Sequence, residues 1–453
     1  MKRRMFLQSG ALASGAVTAL GAGLLGMLGT REGMAAASDY RALVCVFLNG
    51  GSDGNNLLVP TDAAYSDYSS ARYDLALARD SLAALSGTSA GHTFGVHSGA
   101  APLASLYNQR RLAFIANVGP LVQPTTALQV LNHSAVLPPF LLSHSDQVAM
   151  QQGWSGDEDA SGWAGRGIEL LPANYRHSLN AVTMDTNRTL VLGRNSRVAF
   201  MNSDGARYWG NADLAQPSSY AAQSLNRMAQ WQFSNQYEGE FSATFGAAVS
   251  ESTIITQAFL QATEPQASFA SDDLAIRLRA LASVLPAFKA MGYKRQVFLL
   301  NWGSFDTHTG QRGTAATTQD AQFAVLGAAL SAFDQANRAA GLDLDVTTLM
   351  MSDFGRTLKP ASGGGSDHSW GNNLFVMGGA VAGGQVIGQL PSLRLGGVDD
   401  FDRAAEGRFV PTTATDQIGA TVMQWLGMPA SSVLEAFPNL ANFSQKTLGF
   451  MSV

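Results

Sequence analysis

Six stretches of this sequence are apolar almost without interruption: 42–49, 112–118, 189–193, 295–302, 346–352 and 373–378. A strand with one face in water alternates apolar and polar residues, so runs without alternation belong to strands covered on both faces. Helical spacings recur between them, at 99–110, 219–235, 248–263, 271–291, 317–340 and 413–426. In the longest, Phe323, Leu326, Leu330 and Phe333 fall three and four apart and form a core-facing stripe. Strands alternating with helices predict an α/β protein, with a doubly wound, mostly parallel sheet and helices on both faces.

Two segments interrupt the alternation, 153–166 and 194–250, and read as insertions or a cap over the sheet edge. The 453 residues are enough for two domains, but one α/β unit over 38–453 with these insertions accounts for the pattern more simply. Lys plus Arg (29) trails Asp plus Glu (34), and no basic patch occurs, which argues against a nucleic-acid partner. The single cysteine, Cys45, lies inside an apolar run and reads as a buried core residue.

The N-terminus reads as an address. Lys2-Arg-Arg-Met-Phe-Leu7 resembles a twin-arginine export signal, followed by a Gly/Ala-rich apolar run from Ala11 to Gly29 and by the small residues Ala35-Ala-Ala37 before Ser38. Residues 1–37 are therefore expected to be a cleaved signal peptide. The remaining chain has no apolar stretch long enough for a permanent membrane span. The expected location is periplasmic or otherwise extracytoplasmic, with the twin-arginine translocase as a partner during export.

Four strand-to-loop boundaries carry hard or nitrogen ligands. They are Asp53 after strand 42–49, Asp306 and His308 after 295–302, Asp353 after 346–352, and Asp367-His368 before 373–378. A parallel sheet gathers the C-terminal ends of its strands along one edge, so these side chains can meet around a metal. Asp306 and His308, two apart in an extended segment, point the same way.

Five elements together resemble one family. They are Phe47-Leu-Asn-Gly-Gly-Ser-Asp-Gly-Asn-Asn56, Phe305-Asp-Thr-His308, Ser352-Asp-Phe-Gly-Arg-Thr357, Asp367-His-Ser-Trp-Gly-Asn372 and Phe437-Pro-Asn-Leu-Ala-Asn442. They are similar to the DUF1501 family of twin-arginine-exported bacterial proteins, within the alkaline phosphatase-like superfamily of metal-dependent phospho- and sulfohydrolases. The resemblance implies an alkaline phosphatase-like fold and one or two divalent ions: zinc, manganese, calcium or magnesium. It implies Asp53, Asp306, His308, Asp353 and His368 as the metal ligands. The segment Leu142-Ser-His-Ser-Asp-Gln147 matches the superfamily's nucleophile-bearing helix start and offers Ser143 first and His144 second, although Ser143 reads equally well as a helix cap.

Arg356, Asn55, Asn56 and Asn372 are then expected to bind the non-bridging oxygens of the substrate. Phe354 departs from the pattern, standing where the superfamily commonly has a second histidine. Either one metal binds, or a neighbour such as His144, His97 or an asparagine fills in, or a harder ion is taken with oxygen ligands. The function implied is hydrolysis of a small-molecule or glycan phosphate or sulfate ester. The alternative is a non-catalytic metal- or ligand-binding envelope protein with a degenerate site.

Overall fold

The computed structural model describes residues 39–153 and 159–452, and Asp39–Val453 forms one compact unit. The expected signal segment and part of the expected insertion at 153–166 lie outside the described residues. Among the described residues, no helix is long and apolar enough to cross a membrane.

The core is a nine-stranded sheet. In chain order its strands are β1 (Arg41–Leu48), β2 (Leu112–Gly119), β3 (Ala181–Thr183), β4 (Ala199–Phe200), β5 (Arg295–Trp302), β6 (Val346–Ser352), β7 (Asn372–Gly378), β8 (Gln385–Ile387) and β9 (Thr413–Ala414). Across the sheet the order is β8-β2-β7-β6-β1-β5-β3-β4, with β9 also paired to β2. Every pairing is parallel except those of β7 with β6 and with β2. Consecutive residues of β1, β2, β6 and β7 are buried, so both faces of the sheet are covered. Cys45, at the centre of β1, is fully buried, and burial pushes its thiol pKa up.

The helices that bear on the site and core include α1 (Ala101–Asn108), α2 (His144–Gln152), α3 (Trp163–Glu169), α4 (Tyr220–Met228), α5 (Gln236–Leu260), α6 (Asp273–Ala290), α7 (Gln319–Ala339) and α8 (Thr415–Leu426). Thr318 caps α7 by accepting from Ala321 N, and the stripe Phe323, Leu326, Leu330 and Phe333 is buried as its spacing requires. Helix α7 packs on α6 and α1, whereas α8 packs on β1 and α3.

Two local expectations are corrected. Residues 189–193 are not a strand: Thr189–Val191 forms a single 3₁₀ turn, and the sheet position beside β5 is taken by Ala181–Thr183. Both stretches are short, apolar and buried, so burial pattern alone does not distinguish them. The helices placed at 219–235 and 248–263 are in fact α4 and the 25-residue α5. Asn235, whose side chain accepts from Tyr237 N and Glu238 N, starts α5 earlier than the apolar spacing suggested.

The antiparallel course of β7 positions the candidate site. Parallel β1, β5 and β6 end at one edge of the sheet, and a reversed β7 begins at that same edge. The long β6–β7 connection, with Asp353 at one end and Asp367-His368 at the other, therefore stays beside the loops that follow β1 and β5.

Candidate metal centre

Close loop packing builds the site. Gly50 and Gly51 follow β1 with φ of +100° and +82°, and a Cβ on Gly50 would stand 2.5 Å from the backbone nitrogen of Asp306. Only a residue without a side chain lets the β1 and β5 loops approach this closely. Gly50 N donates to Asp353 Oδ2 at 3.0 Å, and Phe305 N donates to the Asn49 carbonyl at 2.8 Å. Beyond β6, residues 355–357 and 367–369 pair antiparallel, through Thr357 N to the Asp367 carbonyl and Ser369 N to the Gly355 carbonyl, both 2.9 Å. This turn lays the His368 ring 4.5 Å from the Phe354 ring.

Three imidazoles converge on Asp306. Their Nδ1 atoms all face acceptors: His144 to Asp353 Oδ2 at 2.8 Å, His308 to Asp367 Oδ1 at 2.7 Å, and His368 to the Leu142 carbonyl at 2.8 Å. A neutral ring so held carries its proton on Nδ1 and leaves the lone pair on Nε2. Those Nε2 atoms turn inward. His308 Nε2 and His368 Nε2 lie 3.0 and 3.2 Å from Asp306 Oδ1, and His144 Nε2 lies 3.4 Å from Asp306 Oδ2. His308 Nε2 and His368 Nε2 are 3.1 Å apart.

Two lone pairs facing each other at that distance call for a cation between or beside them. Donor atoms on a tetrahedral zinc at 2.0–2.1 Å stand about 3.3 Å apart, close to the separations seen here. His144 Nε2 is buried and makes no hydrogen bond, so its lone pair is free to ligate. The donor set of His144, Asp306 and His368 thus fits a divalent metal, with His308 Nε2 beside it, 3.1 Å from His368 Nε2. Ligand atoms of His144, Asp306 and His368 lie within 4.8 Å of one another.

Burial, with the neighbouring Arg356 and His144, lowers the pKa of His368 and favours its neutral, ligating form. Burial raises the pKa of Asp353, although the His144 and Gly50 hydrogen bonds oppose the rise. Asp306 is pushed up by burial but held below its ordinary value overall by the hydrogen bond and charge of Arg356, whose Nη1 lies 2.9 Å away.

The structure distributes the other sequence-predicted residues differently. Asp53 is fully buried, with its carboxylate paired to Arg72, accepting from Gln311 Nε2 at 2.5 Å and capping Asn55 N at 3.1 Å. Its oxygens are committed to holding the β1 loop, not to the cluster. Asp353 meets the cluster one step removed, through His144.

The expected oxyanion-binding residues are likewise structural ties. The Arg356 side chain is 0% exposed and bonds Asp306, the Gly50 carbonyl and the Ser366 carbonyl. Asn56 is buried between Tyr68 and the Leu75 carbonyl, and Asn372 between Ser52 and the Phe354 carbonyl. Asn55 donates to the Arg356 carbonyl at 3.0 Å. Ser143 occupies the N-cap of α2, yet its hydroxyl donates to Asp146 Oδ2 at 2.5 Å and makes no cap bond. His97 bonds Asp320 at 2.9 Å, away from the cluster. The His144 ring lies 4.7 Å from the Phe354 ring, tilted by 44°, so an imidazole stands beside the position where Phe354 departs from the expected pattern.

The model of a family described as "protein of unknown function (DUF1501)" matches residues 40–402. The chain belongs to the DUF1501 family. No curated protein sequence matches it. Among solved structures, this DUF1501 chain is similar to the lipoteichoic acid synthase LtaP from Listeria monocytogenes, at 10% identity, TM-score 0.34, covering 90% of this chain and 76% of that one. It is similar to the phosphonate monoester hydrolase SpPMH from Silicibacter pomeroyi, at 10% identity, TM-score 0.32, covering 86% and 74%. It is also similar to the C-terminal periplasmic domain of EcEptC from Escherichia coli, a complex with Zn, at 10% identity, TM-score 0.35, covering 87% and 84%. At these scores the likeness assigns no chemistry to the DUF1501 chain, and its own geometry carries the argument.

Proposed function

We propose that this protein is an exported, metal-dependent hydrolase of phosphate or sulfate esters, with its cation held by His144, Asp306, His308 and His368. The observation that carries this reading is the shared orientation of three imidazoles, each with Nδ1 anchored and Nε2 turned to Asp306. A divalent cation there would supply positive charge for the oxygens of a tetrahedral ester and lower the pKa of an oxygen it binds. The protein's own residues do the rest. Asp353, Asp367 and the Leu142 carbonyl fix the three rings, and Arg356 fixes Asp306 from beneath. Ser143 Oγ, hydrogen-bonded to Asp146, attacks phosphorus or sulfur as its proton passes to Asp146, which hands it to the departing alkoxide; water, giving a proton to Asp146, then displaces the serine oxygen, and Asp146 returns that proton to Ser143 as the acid group is released.

Export by the twin-arginine route, through Lys2-Arg-Arg-Met-Phe-Leu7, belongs to the same proposal and places the enzyme outside the cytoplasm. The test is elemental analysis of the purified protein, followed by screening of aryl phosphates, phosphodiesters and sulfates with the bound metal restored. Turnover that disappears with a chelator and in His368→Ala supports the reading. A second reading, a non-catalytic cation-binding protein, is favoured by the burial of Arg356, Asn56 and Asn372, which leaves these groups unable to touch a substrate. Metal present with no ester cleaved would select it.

A further inference from the structure

The opposite end of the sheet holds a cavity of about 780 Å³, at the N-terminal ends of β3 and β4 and against α3 and α5. Strand β5, eight residues long, separates this end from the metal centre by about 25 Å. Its lining includes Arg176, Arg194, Arg197, His177, Ser196 and Glu251. The volume falls within the range of sites for small ligands, yet the wall is made largely of charged and hydrogen-bonding side chains.

Several polar groups in that wall have no protein partner. His177 Nδ1 and Ser196 Oγ are buried and make no hydrogen bond. Burial pushes the His177 pKa down to about 4, so the ring is neutral. Glu251 is 7% exposed and accepts no hydrogen bond among the described residues, and burial pushes its pKa up to about 7. Each buried polar group left unmatched costs about 1–3 kcal/mol, so a ligand that matches them is favoured. Nearer solvent, Arg176 donates to the Glu169 carbonyl at 3.5 Å, while Arg197 donates to the Ala243 carbonyl through Nη1 at 2.9 Å and makes an exposed 3.3 Å pair with Glu240 through Nη2. Exposed pairs of this kind are weak and leave the guanidinium groups available to another anion.

We infer that this cavity binds a hydroxylated anion, a small sugar bearing a carboxylate, sulfate or phosphate group. The acid group would meet Arg176 and Arg197, while the hydroxyls would meet Glu251, His177 and Ser196. A guanidinium suits such an acid because it presents paired N–H donors to paired oxygens. The lining also carries Glu169 and Glu435, but Glu169 Oε1 already accepts from Asn195 N and Ser196 N at 2.6 Å, so the arginines at the rim and Glu251 at the floor match a ligand charged at one end and hydroxylated at the other. Binding here asks nothing of the metal centre.

Isothermal titration of the purified full chain with glucuronate, glucose 6-sulfate, glucose 6-phosphate, glucose and inorganic sulfate tests the assignment. At least one acidic sugar is expected to bind at least tenfold more tightly than both glucose and sulfate, and the preferred acid group identifies the ligand type. Arg176→Ala with Arg197→Ala, both at exposed positions, is expected to weaken that binding at least tenfold, and Asp306→Asn to leave it unchanged. The inference is overturned if no acidic sugar binds, if glucose or sulfate binds as tightly, or if binding follows Asp306→Asn instead of the arginines.

Discussion

Asp353 Oδ2 lies 2.8 Å from His144 Nδ1, which makes a buried carboxylate at the end of β6 the group that orients an imidazole at the start of α2. The contact spans two elements far apart in sequence and sets which ring nitrogen faces Asp306. Replacing Asp353 by Asn keeps the volume but substitutes an amide, a weaker acceptor. Outer partners of this kind typically account for 10–100-fold in metal affinity. Competition for zinc against a chromophoric chelator should show a loss of about that size in Asp353→Asn. Unchanged affinity would mean that His144 is not a ligand.

Asp53 separates a metal role from a structural one. Its carboxylate neutralises Arg72, and both side chains are 0% exposed. Removing one member of a buried pair strands the other charge, at a cost of about 3–5 kcal/mol. Asp53→Ala should therefore lower the denaturant midpoint sharply, while the protein that remains folded keeps the metal content of the wild type. Loss of metal without loss of stability would return Asp53 to the ligand set.

The edge on which the site lies was legible in the sequence, because apolar runs ending in Asp306, His308 and Asp353 require strand ends that carry chemistry. His368 was legible as a cluster residue by its place before its strand, but it reaches the site only because β7 runs antiparallel. No local pattern announces that reversal. Asp53 was misleading, since Asp-Gly after a strand looks the same whether the acid binds a cation or Arg72. Arg72 lies 19 residues away in an unremarkable helical stretch. His144 was visible beside Ser143 as a second choice, but which of the two faces the cluster depends on the start of α2. Asp367, which holds His308, stood in plain view next to His368 and was passed over as an anchor.

At the start of α2, Ser143 Oγ donates to Asp146 Oδ2 at 2.5 Å, and Ser145 Oγ reaches the same oxygen at 3.3 Å. If Asp146 takes the Ser143 proton, Asp146→Asn and Ser143→Ala should each lower kcat on whichever ester is cleaved, with KM changed little. The loss for a missing general base is on the order of 10²–10⁴-fold. Full turnover in Ser143→Ala would show that water attacks directly and that this serine only begins the helix.

Glu251 gives a pH signature away from the metal centre. Its pKa rises from 4.5 in an unfolded chain to about 7 in the folded protein because burial disfavours the charged form. A raised acid pKa means that the folded state holds the proton more tightly. The associated stability is fully present below pH 4.5 and is lost as pH rises through about 7. Glu251→Gln stays neutral throughout and escapes that loss. Relative to wild type, its melting temperature should rise between pH 4.5 and pH 8, with a differential stability of up to about 3 kcal/mol. Any fixed cost of placing an amide in the cavity is the same at both pH values and cancels in the comparison. A difference that does not change with pH would show that Glu251 is ionised in the folded protein, with a cation beside it that the cavity must then supply.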